Sequence, residues 1–318
     1  MNTRIFCSTD IHGSDVVFRK FVNAGKFYKA DIVILNGDLT GKAIIPIIEK
    51  APNTFEAKIL GSKQDAKGMD ELKNLESKIA NLGFYPFHTD EKGLEELSVN
   101  PMKVSELFKH FMIKTIERWI DLLEQHLKGT GIKCFMLPGN DDALVIDEPI
   151  QRSDFIINPE GKVIDLDGTH EMISTGYSNP TPWDTPREES EAALRNRIEA
   201  MVSRVENTQT CIFNLHAPPY DSGLDEAPQL DKNLKQVSSV GEVVMTAVGS
   251  TAVREVIEAH QPLVSLHGHI HESKGSRKIG QTLCLNPGSE YQSGVLKGVL
   301  LNLDRKEKKL QSHLFTSG

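Results

Sequence analysis

The sequence predicts an α/β fold whose strands carry clustered polar side chains at their ends, and three observations predict it. Short apolar runs alternate with amphipathic stretches of helical period through most of the chain. Some runs, such as Ile32-Val33-Ile34-Leu35, are continuously apolar, as a strand covered on both faces must be. Five runs end in Asp, Asn or His, at the carboxyl edge where open α/β sheets place their sites.

The first strand covers residues 4–9 and leads into Asp10-Ile11-His12-Gly13. Side chains two apart on an extended chain share a face, so Asp10 and His12 are expected to point the same way. Val17, Phe18, Phe21 and Val22 then recur at helical spacing, with Ser14 or Asp15 as the cap. Residues 31–35 form the second strand, ending in Asn36-Gly37-Asp38-Leu39.

Residues 42 to about 110 interrupt this alternation. Segments 44–49 and 54–60 fit a hairpin, and 69–82 reads as a helix with Leu72, Leu75, Ile79 and Leu82 on one face. Phe84, Tyr85 and Phe87 form an aromatic cluster, while His88 and His110 stand alone and read as ordinary histidines. A strand-helix-strand step needs only ~30 residues, and far more than that separate Asp38 from Asn140. Segment 43–104 is therefore read as an inserted cap bordering the cleft, with the aromatic cluster as an apolar wall.

A long helical pattern over 104–127 stops at Gly129 and Gly131. Strand 132–137 follows and ends in Pro138-Gly139-Asn140-Asp141-Asp142. Segments 162–166 and 172–175 read as strands, 176–187 as a loop of fixed shape holding Trp183, and 189–205 as a helix. Strand 210–215 ends in His216-Ala217-Pro218-Pro219-Tyr220, and 221–248 reads as a mobile surface loop. Helix 251–260 precedes strand 263–266, whose exit is His267-Gly268-His269-Ile270-His271. His269 and His271 again share a face by the period of two, and His267 alternates away from the site as a structural residue. A strand over 282–285 and a hairpin over 295–303 and 309–315 close the chain.

Composition narrows the class. The chain has 318 residues, 39% of them apolar and 25% charged, enough to bury a full core, and residues 1–318 read as a single domain with the 43–104 insertion inside it. Net charge is −8, so long nucleic acid is disfavoured as a partner. No apolar run has the length of a membrane span, and the N-terminus lacks a signal-peptide apolar region. Cys7, Cys134, Cys211 and Cys284 sit singly in apolar runs and read as reduced core residues. Together these features predict a cytoplasmic location; oligomeric state is left open.

The strand ends supply Asp10, His12, Asp38, Asn140, His216, His269 and His271. Mixed carboxylate, amide and imidazole donors suit borderline divalent ions: Mn, Fe, Co, Ni or Zn. Seven donors exceed one tetrahedral site, so two adjacent ions are expected.

The order Asp10-x-His12, Gly37-Asp38, Gly139-Asn140-x-Asp142, His216-x-Pro218-Pro219 and Gly268-His269-x-His271 resembles the calcineurin-like metallophosphoesterase superfamily, with all five blocks in sequence. Asn286-Pro287-Gly288-Ser289 is similar to a stretch of its smaller members. The resemblance implies a four-layer αββα sandwich with a dinuclear metal centre. It implies Asp10, His12 and His271 on one ion, Asn140, His216 and His269 on the other, and Asp38 bridging them. It further implies that Asp142 orients His12, and that small phosphoesters are hydrolysed through a metal-bridging hydroxide.

One position departs from the pattern. Where many members have a histidine after the asparagine, this chain has Asp141. A carboxylate beside two dications would be ionised, a poor proton donor, and repulsive to phosphate. The departure favours phosphodiesters or activated esters. The alternatives are a phosphomonoesterase, including a protein phosphatase, a nuclease, or a metal-binding scaffold without catalysis.

Overall fold

The computed structural model describes residues 2–239 and 241–318; Met1, in the predicted N-terminal segment, and Val240, in the predicted 221–248 loop, lie outside them. β1 (Asn2–Ser8) is followed by α1 (Asp15–Phe27) and pairs in parallel with β2 (Ile32–Asn36). Phe6, Val33 and Leu35 face the helices, whereas Ile5, Cys7, Ile32 and Ile34 face a second sheet. Burial on both faces is why these runs carry no polar alternation. Ser14 holds the N-cap position of α1, but its hydroxyl donates to the Asn81 carbonyl instead of capping.

The insertion builds its own sheet. β3 (Ala43–Ala51), β4 (Thr54–Ile59) and β5 (Ser62–Lys67) run antiparallel, α2 (Gly68–Asn81) covers them, and β6 (Phe84–Thr89) returns parallel to β3. The expected hairpin is present within a four-stranded sheet. β5 escaped the sequence reading because only Ala66 in it is buried, so it has no apolar alternation. Ile47, Phe55, Leu72, Leu75 and Ile79 form a core separate from that of the sandwich.

α3 (Glu91–Ser98) precedes α4 (Pro101–Leu127), which Asn100 caps through the Lys103 amide. The expected boundary at 104 therefore falls inside a continuous helix. α4 leaves the insertion and packs on α1, with Trp119 stacked on Phe18 at 4.0 Å. β7 (Lys133–Leu137) then joins β2 in parallel, followed by the short α5 (Asp147–Gln151) and β8 (Ile156–Ile157).

The second sheet starts with β9 (Val163–Asp165) and β10 (Glu171–Thr175); α6 (Glu191–Val202) leads to β11 (Ile212–Leu215). The segment read as one polar loop holds two small ladders instead. β12 (Glu226–Pro228) pairs with β15 (Met245–Ala247), enclosing β13 (Ser238–Ser239) and β14 (Glu242–Val243). α7 (Thr251–His260), β16 (Val264–Leu266), β17 (Gly275–Ile279) and β18 (Thr282–Asn286) complete the sheet in the order β17-β18-β16-β11-β10-β9. The hairpin of β19 (Lys297–Asp304) and β20 (Lys309–Ser317) extends the first sheet to β20-β19-β1-β2-β7-β8.

Three apolar layers result: one between α1/α4 and the first sheet, one between the sheets, and one between the second sheet and α6/α7. The fold is thus the expected four-layer αββα sandwich. All four cysteines are free and buried. No helix among the described residues is long and apolar enough to cross a membrane.

Candidate metal centre

The loops leaving β1, β2, β7, β11 and β16 meet at one edge of the sandwich. His12 Nε2 lies 2.9 Å from His271 Nε2, and His271 Nε2 lies 3.5 Å from Asp10 Oδ1. His216 Nε2 lies 3.5 Å from Asp38 Oδ1 and 3.8 Å from Asp10 Oδ1. Asp38 also reaches the first cluster, with Oδ2 3.6 Å from His12 Nε2. Three compact groups result, Asp10/His12/His271, Asp38/His216/His269 and, overlapping both, His12/Asp38/Asp141, each with its ligand atoms within 4.8 Å of one another.

Turns, not strand alternation, make this convergence. Asp10, His12, Asp38 and His269 have φ of 52°, 40°, 52° and 67°, the left-handed region that costs a side-chain-bearing residue energy. The expectation that His269 and His271 point the same way is corrected accordingly. The left-handed turn at His269 sends it to the Asp38/His216 group and His271 to the Asp10/His12 group. Two glycines permit the crowding. A Cβ on Gly37, itself at φ +92°, would lie 2.1 Å from His216 Nδ1, and one on Gly268 would lie 2.0 Å from Thr9 Oγ1.

Hydrogen bonds aim the donors. His216 Nδ1 donates to the Asn36 carbonyl at 2.9 Å, which leaves Nε2 facing the carboxylates. The His269 amide donates to Asp10 Oδ2 at 3.0 Å, and the Asp141 amide to Asp38 Oδ1 at 3.0 Å. Asn140 Nδ2 donates to Thr185 Oγ1 at 2.9 Å, so its Oδ1 is turned the other way. Asn140 Oδ1 and His216 Nε2 are buried without a hydrogen-bond partner. Buried polar atoms are rarely left so. Orphaned lone pairs among buried carboxylates and imidazoles fit divalent cations, so the residues present suit the ions that the sequence implied.

The electrostatics fit as well. Burial would raise Asp10, but the His216 and His271 imidazoles outweigh it and hold the carboxyl at about 2. Burial likewise works against Asp38, yet His216 and His12 hold it well below the usual range. Burial would lower His216, but Asp38 and Asp10 raise it to about 10, while burial and the His216 charge keep His269 near 4. The two carboxylates thus demand positive charge at this spot, and a proton on His216 supplies it where a dication would otherwise do so.

Asp142 does not orient His12. Its carboxylate accepts from the amides of Leu39, Thr40 and Gly139 and from the Thr40 hydroxyl, tying the Asp38 loop to the Asn140 loop. Those donors saturate it, and burial with the nearby Asp38 charge raises it to about 6. The carboxylate nearest His12 Nδ1 is that of Asp141, at 3.9 Å. Nor does Asp141 stand as a bare repelling charge: Lys42 Nζ pairs with its Oδ2 at 2.9 Å. Burial and Asp38 push Asp141 upward, and Lys42 opposes them. Lys42 and Thr185 belong to no motif and were missed; only their place in space marks them. His267 points away, its Nδ1 donating to the Leu215 and Ala217 carbonyls.

The aromatic wall is also corrected. Tyr85 is buried, with its hydroxyl accepting from the Gly41 amide, and stacks on Phe111; Phe87 packs on the same ring, and Phe84 joins the core of the insertion. The insertion nonetheless touches the centre, since a Cβ on Gly83 would lie 2.1 Å from the His12 carbonyl oxygen.

No family model matches the chain. An uncharacterized protein of Methanocaldococcus jannaschii is 31% identical over 178 residues, 55% of this chain and 70% of that one. A UDP-2,3-diacylglucosamine hydrolase of Marinobacter nauticus is 25% identical over 147 residues, 46% of this chain and 55% of that one. The match therefore spans little more than half of the hydrolase. Among solved structures, TT1561 of Thermus thermophilus superposes with a TM-score of 0.53 at 15% identity, covering 100% of this chain and 99% of that one.

Proposed function

We propose that this chain is a metal-dependent phosphoric ester hydrolase of the calcineurin-like metallophosphoesterase kind that favours small phosphodiesters, a reading supported by its five motif blocks, its four-layer fold and its similarity to a UDP-2,3-diacylglucosamine hydrolase. The observation that carries the reading is the meeting of six donors, Asp10, His12, Asp38, His216, His269 and His271, from four loops, with His216 Nε2 and the Asn140 Oδ1 of a fifth loop buried and unpartnered.

In this reading Asp10, His12 and His271 hold one divalent ion, Asn140, His216 and His269 hold a second, and Asp38 is shared. Such ions, when bound, supply Lewis-acid polarisation of a phosphoryl oxygen and an acidified water. The chain's own residues fix the rest. His216 keeps its tautomer through Asn36, Asn140 keeps its orientation through Thr185, and the Asp141 amide holds Asp38 in place. Asp142 sets the spacing of the two loops that carry Asp38 and Asn140. The insertion over 43–104 acts as a cap whose inner end, at Gly83 and next to Lys42 just before it, borders the cleft.

In this reading Asp141 is held by Lys42 and does not serve as the proton donor to the departing oxygen. Rates should then depend steeply on leaving-group acidity, because general acid catalysis is worth ~10²–10⁴-fold. The second reading is a phosphomonoesterase. Lys42 favours it, because its ammonium offsets the Asp141 charge that would repel a dianion.

The test is turnover of bis-p-nitrophenyl phosphate, p-nitrophenyl phosphate and an alkyl monoester with Mn, Fe, Co, Ni or Zn. The diester should be cleaved well and the alkyl monoester poorly, and Asp38→Asn should abolish both activities. Lys42→Met should weaken the monoester more than the diester. Turnover that persists in a chelator would overturn the reading, and so would Asp38→Asn with wild-type rates in excess metal.

A further inference from the structure

Trp183 is 62% exposed, yet the loop that carries it is fixed at both ends to the candidate metal centre. At its start, a Cβ on Gly176 would lie 1.6 Å from the Pro138 carbonyl oxygen. At its end, the Arg187 amide donates to the Asn140 carbonyl at 3.2 Å. The Arg187 side chain is buried and runs to the Asp142 carbonyl and the Asp147 carboxylate. Glu188 clamps the tip, accepting from the amide and the hydroxyl of both Thr181 and Thr185. The Trp183 amide itself donates to Thr181 Oγ1 at 3.2 Å. Thr185 is also the residue that orients Asn140, so the indole sits two positions from a direct partner of a candidate ligand.

The neighbouring loop brings a second ring. Tyr220 follows His216 and is 41% exposed, and its amide donates to the Ser250 carbonyl at 3.0 Å. Asn179, at the foot of the Trp183 loop, donates to the Val248 carbonyl beside it at 3.2 Å. The two loops are therefore both tied to the 248–250 segment, one of them carrying Thr185 on Asn140 and the other continuing from His216.

A large ring held open to solvent on an immobilised loop loses little conformational freedom when a ligand covers it. Such rings bind planar π-systems, because every aryl or base face can stack on them. We infer that Trp183 is the platform on which an aromatic ring of the substrate stacks while its phosphoester lies at the centre. The substrate class is then a ring-bearing phosphoester, aryl or nucleoside. This inference rests on the hydrolase reading above, but it can fail separately.

Binding can be read without turnover. The chain has two tryptophans, and Trp119 is fully buried with its Nε1 on Asp15, so the accessible emission is that of Trp183. Metal-loaded protein is titrated with adenosine 5′-monophosphate, phenyl phosphate and ribose 5-phosphate. The two ring-bearing ligands should quench the accessible emission saturably, and ribose 5-phosphate should not; the stronger of the two names the source of the ring. Trp183→Ala should weaken binding of the ring-bearing ligands, measured by calorimetry, by roughly 5- to 100-fold and leave ribose 5-phosphate unchanged, while Trp183→Phe should restore most of the loss. Equal quenching by all three ligands, or an equal loss for all three in Trp183→Ala, would overturn the platform. If those results came with metal-dependent turnover of bis-p-nitrophenyl phosphate, the platform would fall and the hydrolase would stand. Ring-selective binding without turnover by any metal-loaded form would support the platform and count against the hydrolase.

Discussion

His267 and His269 stand two apart in one short stretch and do opposite things. His269 turns into the centre, whereas His267 is buried with its Nδ1 on two backbone carbonyls. Burial lowers His267 to about 4 despite those acceptors. The folded protein thus keeps this imidazole neutral where the unfolded chain, near 6.5, would protonate it. Its contribution to stability is complete above pH 6.5 and is lost as pH falls from there toward 4, at up to about 1.4 kcal/mol per pH unit. Urea melts at pH 7.5, 5.5 and 4.5 should show this loss, and the decline should be shallower in His267→Asn. Identical slopes in the two proteins would show that His267 carries a proton in the fold. Asp142 teaches the same lesson of position over type: it lies two residues from Asn140 and serves the backbone.

The decisive elements are the turns after the strands. β1 stops at Ser8 and β2 at Asn36, so Asp10, His12 and Asp38 all lie beyond the pleat. Left-handed residues bend these turns toward one another, and glycine makes room where the turns meet. Gly37→Ala tests this arrangement, since the new Cβ would meet the His216 ring and adopt an unfavourable φ. A side chain in such a conformation costs ~1–3 kcal/mol before any clash. The variant should melt at a lower temperature and bind less divalent metal, as read by calorimetric titration. Wild-type melting and metal uptake would mean that the Gly37 turn does not set the position of His216.

At the scale of the whole molecule, the candidate centre fastens the sandwich across its middle. Asp10, His12, Asp38 and Asn140 come from loops of the first sheet, and His216, His269 and His271 from loops of the second. The buried carboxylates of Asp10 and Asp38 both lie on the first sheet's side and face His216 and His271 of the second, so the two sheets are held together there only where positive charge lies at the seam. Divalent ions that bind only the folded state should therefore stabilise the whole protein, by ~2.7 kcal/mol for a site at a hundred times its dissociation constant. Melting should rise by a few degrees with at least one of Mn, Fe, Co, Ni or Zn and fall back with a chelator, and metal analysis of the loaded protein should approach two ions per chain. A melting temperature indifferent to all five metals would count against a cation at the seam.

The motif resemblance implied the four layers, while the patterning of the sequence itself determined the main strands and helices and the identity of the clustered donors. Those signals are local: an apolar run buried on both faces, a helical period, and a polar residue just past a strand end. Segment 43–104 was visible as an excess of chain, but its third strand was not, because β5 buries almost nothing. The tertiary structure decided how the donors reach the groups that the resemblance implied, because left-handed turns override the alternation that reading along a strand assumes. It also decided the roles of Asp141, Asp142, Lys42 and Thr185, which depend on what another loop brings within about 3 Å. Such pairings join residues far apart in the chain, and no periodicity along it records them.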